Sequence, residues 1–311
     1  MRRASTFLVC AASALFQIAT APGAFAAPIL GTAANFAVLG GSAVTNTGPT
    51  TITGDLGVYS GTSLTGTSLC PAADCLTLTG VIHATDGVAQ QAQIDLTTAY
   101  LGLQGLSFTS DLSGQNLGGQ TLTSGVYFFA SDADLTGTLT LNAQGLENAL
   151  FVFQIGTNLN TASGPGGAAV QISNPGLNDA VYWVVGSATI GTYTAFQGNI
   201  LGLSGIVLKT GATIGCGRAL NQIPGPVTMD TNTISIGCTG VVTGEKSSNG
   251  LSGNGLAFDT GGNVVDTAGR VVATAVPEPG TLVLLGSGIA GLVARRRRSA
   301  RGRQRDLAPK A

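Results

Sequence analysis

Between Gly31 and Gly80 the chain is cut every 6 to 10 residues by Gly, Asn or Pro. That punctuation leaves room only for short extended pieces. They are Phe36-Ala37-Val38-Leu39, Ser42 to Thr45, Thr50-Thr51-Ile52-Thr53 and Leu56-Gly57-Val58-Tyr59, and their side chains alternate with period two. After Leu106 similar runs resume and continue to about Gly240: Gly125 to Phe129, Ala149 to Ile155, Val181 to Val185, Asn199 to Leu203 and Gly205 to Leu208. Their starts are unevenly spaced, at about 24, 32, 18 and 6 residues, with no strict repeat. Charged residues make up 9% of the chain and hydrophobic ones 44%, with mean hydropathy +0.35. Disorder needs the opposite balance, low hydrophobicity with high charge. Many small and β-branched residues with few charges suit stacked strands joined by tight turns. An irregular β-solenoid fits, because coils that cannot bury a face alone can share one core by stacking. A β-sandwich has the same composition and stays open at this point.

One stretch breaks the pattern. Val88, Ala92, Leu96, Ala99 and Leu103 are spaced 4, 4, 3 and 4 apart, which aligns them on one face of an α-helix. Thr85 or Asp86 is placed to cap its start and Gly102 or Gly105 to end it. The helix is amphipathic, so it needs a wall to lie against.

Both ends read as targeting signals. Arg2 and Arg3 precede an apolar run from Phe7 to Ile18, and Ala24-Phe25-Ala26 offers a small-x-small cleavage site. Residues 1–26 are therefore expected to be a secretory signal peptide, removed before folding. At the other end Pro277, Glu278 and Pro279 lead into an uncharged run from Thr281 to Ala294, which stops at Arg295, Arg296, Arg297 and Arg298. The run is 14 residues long, short of the roughly 20 that span a bilayer comfortably, and the arginines would stay cytoplasmic. The segment resembles the PEP-CTERM sorting signal of Gram-negative bacteria. That resemblance implies transient inner-membrane anchoring through a short transmembrane segment, handling by an exosortase, and delivery to the cell surface or beyond. The expected organisation is signal peptide 1–26, one β domain over 27–238, a Gly/Ser/Asn-rich flexible spacer over 239–275, the sorting signal over 276–298 and a basic tail over 299–311.

Ten of the fourteen basic residues lie in the terminal signals. Lys209, Arg218, Lys246 and Arg270 then face thirteen carboxylates, so the mature domain carries a net charge near −9. Such a surface offers nothing to nucleic acid or to anionic lipid. Four cysteines survive processing, Cys70, Cys75, Cys216 and Cys238, and an even count in an exported chain argues for disulfides. Local pairing is the favoured one of three connectivities. No metal or other cofactor is expected: His83 is the only histidine and no Cys-x2-Cys spacing occurs. Asp132 and Asp134 are spaced to project from one face of a strand, as a catalytic carboxylate pair or a Ca²⁺ site would need, but a polar loop before Leu135 accounts for them. No nucleophile accompanies His83, Arg218 reads as structural, and no catalytic set is visible. The chain is read as a non-enzyme.

A family resemblance draws these observations together. Pro28-Ile29-Leu30-Gly31-Thr32-Ala33-Ala34-Asn35-Phe36-Ala37-Val38-Leu39-Gly40 and Ile52-Thr53-Gly54-Asp55-Leu56-Gly57-Val58 resemble the opening of the ice-binding-like family, the domain-of-unknown-function 3494 family. Ala89 to Tyr100, Leu122 to Phe128, Phe151 to Gly156, Phe196 to Leu201 and Gly217-Arg218-Ala219-Leu220 follow in family order. The resemblance implies an all-β, irregular right-handed β-helix with one long α-helix packed alongside, and frequently ice binding. Ice presents a regular, uncharged array of water, so its binder needs a flat, rigid, repetitive face. Stacked strands about 4.7–4.9 Å apart supply the repeat. Threonine supplies a stiff χ1, a methyl and a hydroxyl. Thr210-Gly211-Ala212-Thr213 resembles the family's Thr-Ala/Gly-x-Thr/Asn motif. The candidate ice-binding residues are Ser187, Thr189, Thr192, Thr194, Thr210, Thr213, Thr228 and Thr231, with Tyr193 and Met229 expected to roughen the face. The alternative partner is extracellular matrix, with the same scaffold acting in adhesion.

Overall fold

The computed structural model describes residues 28–70, 75–238, 251–253 and 255–276. The signal segment 1–26, Pro277, Glu278, Pro279, Arg295 to Arg298 and the tail 299–311 lie outside the described residues. Among the described residues, nineteen strands form one continuous sheet, every pairing in it parallel. The chain winds through three faces in turn, so the expected β-helix is what forms. A single coil shows how. Ala180–Ile190 lays residues 180–185 on a first face, shifts register, and lays 187–190 on a second. A tight turn follows, and Ala195–Leu208 contributes 195–197 to a third face before returning to the first at Asn199.

The coils do not stack in chain order. Phe36–Gly40 pairs with 219–220 on one side and with Asp55–Val58 on the other. The N-terminal coils therefore extend the stack beyond the coil that holds Arg218. The coil starting near Ser110 closes the opposite end. Something must carry the chain from one end to the other, and the helix α1 (Gly87–Gln104) does so. Its 18 residues cover roughly 27 Å.

The inner core runs the length of the stack. Tyr127, Phe153, Trp183 and Phe196 form an aromatic ladder with centroids 5.4, 4.0 and 5.0 Å apart. The buried indole N–H donates to Gln197 O at 3.0 Å, so burial leaves it satisfied. A second core fills the space between the first face and α1. There Leu39, Val126, Val152, Tyr182, Val184, Leu201 and Leu220 meet Ala92, Leu96, Ala99, Tyr100 and Leu103. Val88, expected on that face, is 46% exposed. It sits in the first turn, ahead of the contact. Asp86 is the cap, its carboxylate accepting from the N–H groups of Val88 and Ala89. Gly105 ends the helix. Gly102 lies inside it and has another job: a Cβ there would come within 2.4 Å of the Phe258 ring.

The spacer expectation is corrected where the chain is described. Residues 239–250 fall outside the description, but Leu256–Phe258, Val264–Asp266 and Val271–Ala273 form a three-stranded antiparallel sheet. Leu256 and Val264 are buried in the same core as α1. The Gly-, Ser- and Asn-rich composition of 239–275 concealed these apolar anchors.

Candidate functional site

The first face is covered by α1, which leaves two faces open. On the second, one outward row runs in register from Asp134 through Asn160, Thr189, Val207, Thr228 and Thr45 to Thr65. A parallel row holds Asn158, Ser187, Gly205, Pro226, Ala43 and Ser63. Between these rows the inward side chains are Ala133, Leu159, Ala188, Ile206, Val227, Val44 and Leu64, all within or packed against the core. Every step of this face has at least three registered residue pairs.

Five consecutive rungs, Thr189, Val207, Thr228, Thr45 and Thr65, are all β-branched. Thr and Val have nearly the same shape and a restricted χ1, so the row has uniform height. The neighbouring row is Ser187, Gly205, Pro226, Ala43 and Ser63, uncharged and small except for the exposed proline ring beside Thr228. No charged side chain stands in either row of these five rungs. Charge is confined to the margins: Asp132 and Asp134 at one end, Lys209 and Asp230 along one edge. Asp132 accepts hydrogen bonds from the Thr157 hydroxyl and from the backbone and side-chain N–H groups of Asn158. Those bonds, Thr157 foremost, hold its carboxyl below the usual range. It is an ionised group saturated by neighbours.

The third face is also rich in threonine but is less regular. Its outward row is Thr138, Ala169, Ala195, Thr213, Thr233, Thr51 and Thr77. A single registered pair, Ala169 with Ala195, joins its two halves. In the adjoining row Gln171 is exposed beside that junction. Alanine next to threonine varies the height, and a long glutamine breaks the plane.

The corner between these faces explains the Thr210-Gly211-Ala212-Thr213 motif. Thr213 is in register with Ala195 and Thr233, which stacks Gly211 over Tyr193 and Thr231. All three have positive φ, +70°, +58° and +55°. The turn thus demands a left-handed residue, which glycine meets without strain, and the next residue points into the core. Tyr193, 62% exposed, lies against Gly211, where a Cβ would come within 2.7 Å of the ring.

The sequence-derived candidates therefore divide among three places. Ser187, Thr189 and Thr228 stand on the second face, and Thr213 begins the third. Thr192, Thr210 and Thr231 belong to the corner, where the hydroxyls of Thr210 and Thr231 donate to the Asp230 carboxylate. Thr194 is corrected: it is fully buried, bonded to the Thr161 hydroxyl and to Ala162 O. Met229 is corrected too. It is fully buried, so it cannot roughen any face. Sequence reading missed Thr45, Thr65 and Val207. For Val207 the available signal was the triplet Ile206-Val207-Leu208, an outward residue between two inward apolar ones; Thr45 and Thr65 lack it, being followed by Asn46 and Gly66.

The remaining singled-out residues have structural partners. His83 Nδ1 is 2.7 Å from Asp86 Oδ2, tying the first face to the cap of α1. Arg218 is fully buried and donates to Ala34 O and Asn199 Oδ1; burial pulls its pKa down to about 10. Cys70 is bonded to Cys75, and Cys216 to Cys238. Among the described residues no helix is long and apolar enough to cross a membrane.

Comparison with known proteins adds to this geometry. A family model described as ice-binding-like matches residues 38–235, and one described as the PEP-CTERM protein-sorting motif matches residues 275–298. An ice-binding protein of Nostoc sp. (strain HG1) is 48% identical over 261 residues, covering 82% of this chain and 93% of that protein. One from Flavobacterium frigoris (strain PS1) is 32% identical over 224 residues, covering 67% of this chain and 75% of its own length. Among solved structures, an ice binding protein from an Antarctic biological consortium superposes with TM-score 0.61 at 43% identity, covering 67% of this chain and 90% of its own. That of the ascomycete Antarctomyces psychrotrophicus gives 0.60 at 36%, covering 67% and 98%.

Proposed function

The chain belongs to the ice-binding-like family, and from that membership we propose that it is an exported ice-binding protein that adsorbs to ice through its second face. The observation that carries the choice of face is the block of five β-branched rungs, Thr189, Val207, Thr228, Thr45 and Thr65, in unbroken register. Each rung offers methyl groups at one height, four of the five add a hydroxyl, and the strand spacing repeats them at about 4.8 Å. Methyls order the water above them and hydroxyls anchor it, so the face carries a layer that can merge with a growing crystal. Rigidity comes from beneath, where Thr189, Val207 and Thr228 lie between inward residues packed in the core, and Thr45 and Thr65 each follow one. A flexible face would lose the entropy of ordering on contact with ice; this one is already ordered.

Export follows from the sorting motif at 275–298, with an exosortase-type enzyme as the processing partner and the Gram-negative cell surface or its surroundings as the destination. We assign no catalytic step to the chain. The test is ice recrystallisation inhibition and thermal hysteresis of residues 27–276. Activity that tracks substitutions in the five rungs supports the reading. No effect at high protein concentration removes it and leaves the adhesion scaffold.

A further inference from the structure

The segment after the β-helix is fastened down to its last described residue. Beyond 235, where the family match ends, the antiparallel sheet of residues 256–273 lies against α1 with Leu256 and Val264 buried and Phe258 over Gly102. Several contacts tie it to the domain. Ala257 bridges Pro28, Ser252 bridges Ala180, and Ala275 bridges Leu106. The Tyr182 hydroxyl donates to Ser252 O at 2.6 Å, and Asn199 Nδ2 donates to Leu251 O at 2.9 Å. Thr274 O then accepts from Ser107 N at 2.7 Å, and Val276 N donates to Gly105 O at 2.8 Å. The chain enters the sorting motif at this spot, beside the end of α1 and the terminal coil of the stack.

Resting on the ice-binding reading, we infer that residues 251–276 are an orienting bracket. They fix the exit of the sorting segment on the flank covered by α1, so that a tethered molecule presents its second face outward. The positions support this. The exit lies at the coil of Ser110, which is seven coil steps from the coil of Thr65 along the stack, roughly 33 Å. The nearest rung of the block, Thr189, is three steps away, roughly 14 Å. Pro28, at the start of the mature domain, bridges Ala257 on the same flank. Among the described residues, neither the start at Pro28 nor the segment 255–276 crosses an open face. A slack spacer would let the molecule lie on any side. A bracket does not.

The experiment uses residues 27–276, which hold every buried residue described, carrying a C-terminal biotin on streptavidin beads. A second preparation is attached through D134C, on the second face but outside the five rungs. Each is scored as bead retention by ice relative to the activity of the same chain free in solution. C-terminal attachment should preserve retention, and attachment at position 134 should abolish it, because the geometry forbids engagement. Hydrogen exchange should find 256–276 as protected as α1. Equal retention by both attachments, or unprotected amides over 256–276, overturns the bracket. A free chain without ice activity overturns the functional reading instead, while the exchange pattern still judges the bracket.

Discussion

Thr228→Tyr is the sharpest perturbation of the proposed face. Thr228 is the third of five rungs, with Thr189 and Val207 before it and Thr45 and Thr65 after. Five strands span four spacings, roughly 19 Å, and three residues of strand are roughly 10 Å, so the block presents about 190 Å². Two rows of five rungs make about ten outward positions. Thr228→Ala empties one of them, and if contacts added independently it would cost about a tenth of the adsorbed contact. Tyrosine acts differently, because a crystal plane cannot bend around a projection. Its ring, standing above the central rung, holds the plane clear of the rungs on both sides. Thr228→Tyr should therefore reduce thermal hysteresis to near background, and Thr228→Ala should keep most of it. Surface substitutions of this kind typically shift stability by no more than about 0.5 kcal/mol, so melting followed by circular dichroism should barely change. Thr233→Tyr places the same bulk on the third face and should match the parent. Retained activity in Thr228→Tyr, or equal loss in Thr233→Tyr, would refute the assignment of the second face.

Three further outcomes test the scaffold. Cys216→Ser opens a link closing a separation of 22 residues; loop-closure entropy puts the loss near 3 kcal/mol, read as a lower Tm with ice activity near 0 °C retained. Leu256→Ala, at a side chain 1% exposed, should cost about 2–3 kcal/mol in chemical denaturation and raise hydrogen exchange across 256–276 before the β-helix. Asp179 is buried, and burial outweighs the bonds it accepts from Gly176 N and Ala149 N, raising its pKa to about 6. A raised carboxylate pKa favours the folded state below the unfolded value near 4, and that contribution is lost as pH rises through about 6. Asp86, Asp132, Asp259 and Asp266 are lowered by their hydrogen bonds and act in the opposite sense, weakening the fold as acid is added. The comparison is therefore parent against Asp179→Asn in urea at pH 4.5 and 7. The difference between them should change by an amount on the order of 2 kcal/mol, and a pH-independent difference would contradict the burial argument.

How far the sequence could be read depended on parity. Short strands, the helix, a cap at Thr85 or Asp86 and the local cysteine pairs were all visible, because each rests on residues close together in the chain. Which threonines face outward was not. Along a strand the side chains alternate, and a one-residue shift reverses every one of them. The corners of a β-helix reset that alternation, and they vary in length. Thr192-Tyr193-Thr194-Ala195 and Thr210-Gly211-Ala212-Thr213 occupy the same corner in successive coils, yet Thr194 aligns with inward Ala212 and not with outward Thr213. Reading hydroxyls without the corner therefore put a buried threonine on the surface. The same error placed Met229 outside, although outward Thr228 fixes its neighbour as inward. Regularity of the second face is thus a property of register more than of composition. Its rungs carry Val beside Thr, and no repeat in the letters announces them. What the coils share is one left-handed residue at the corner and one inward apolar residue just before every rung. Those two constraints hold each rung's height and direction, while the residue on top needs only to be branched, small and uncharged.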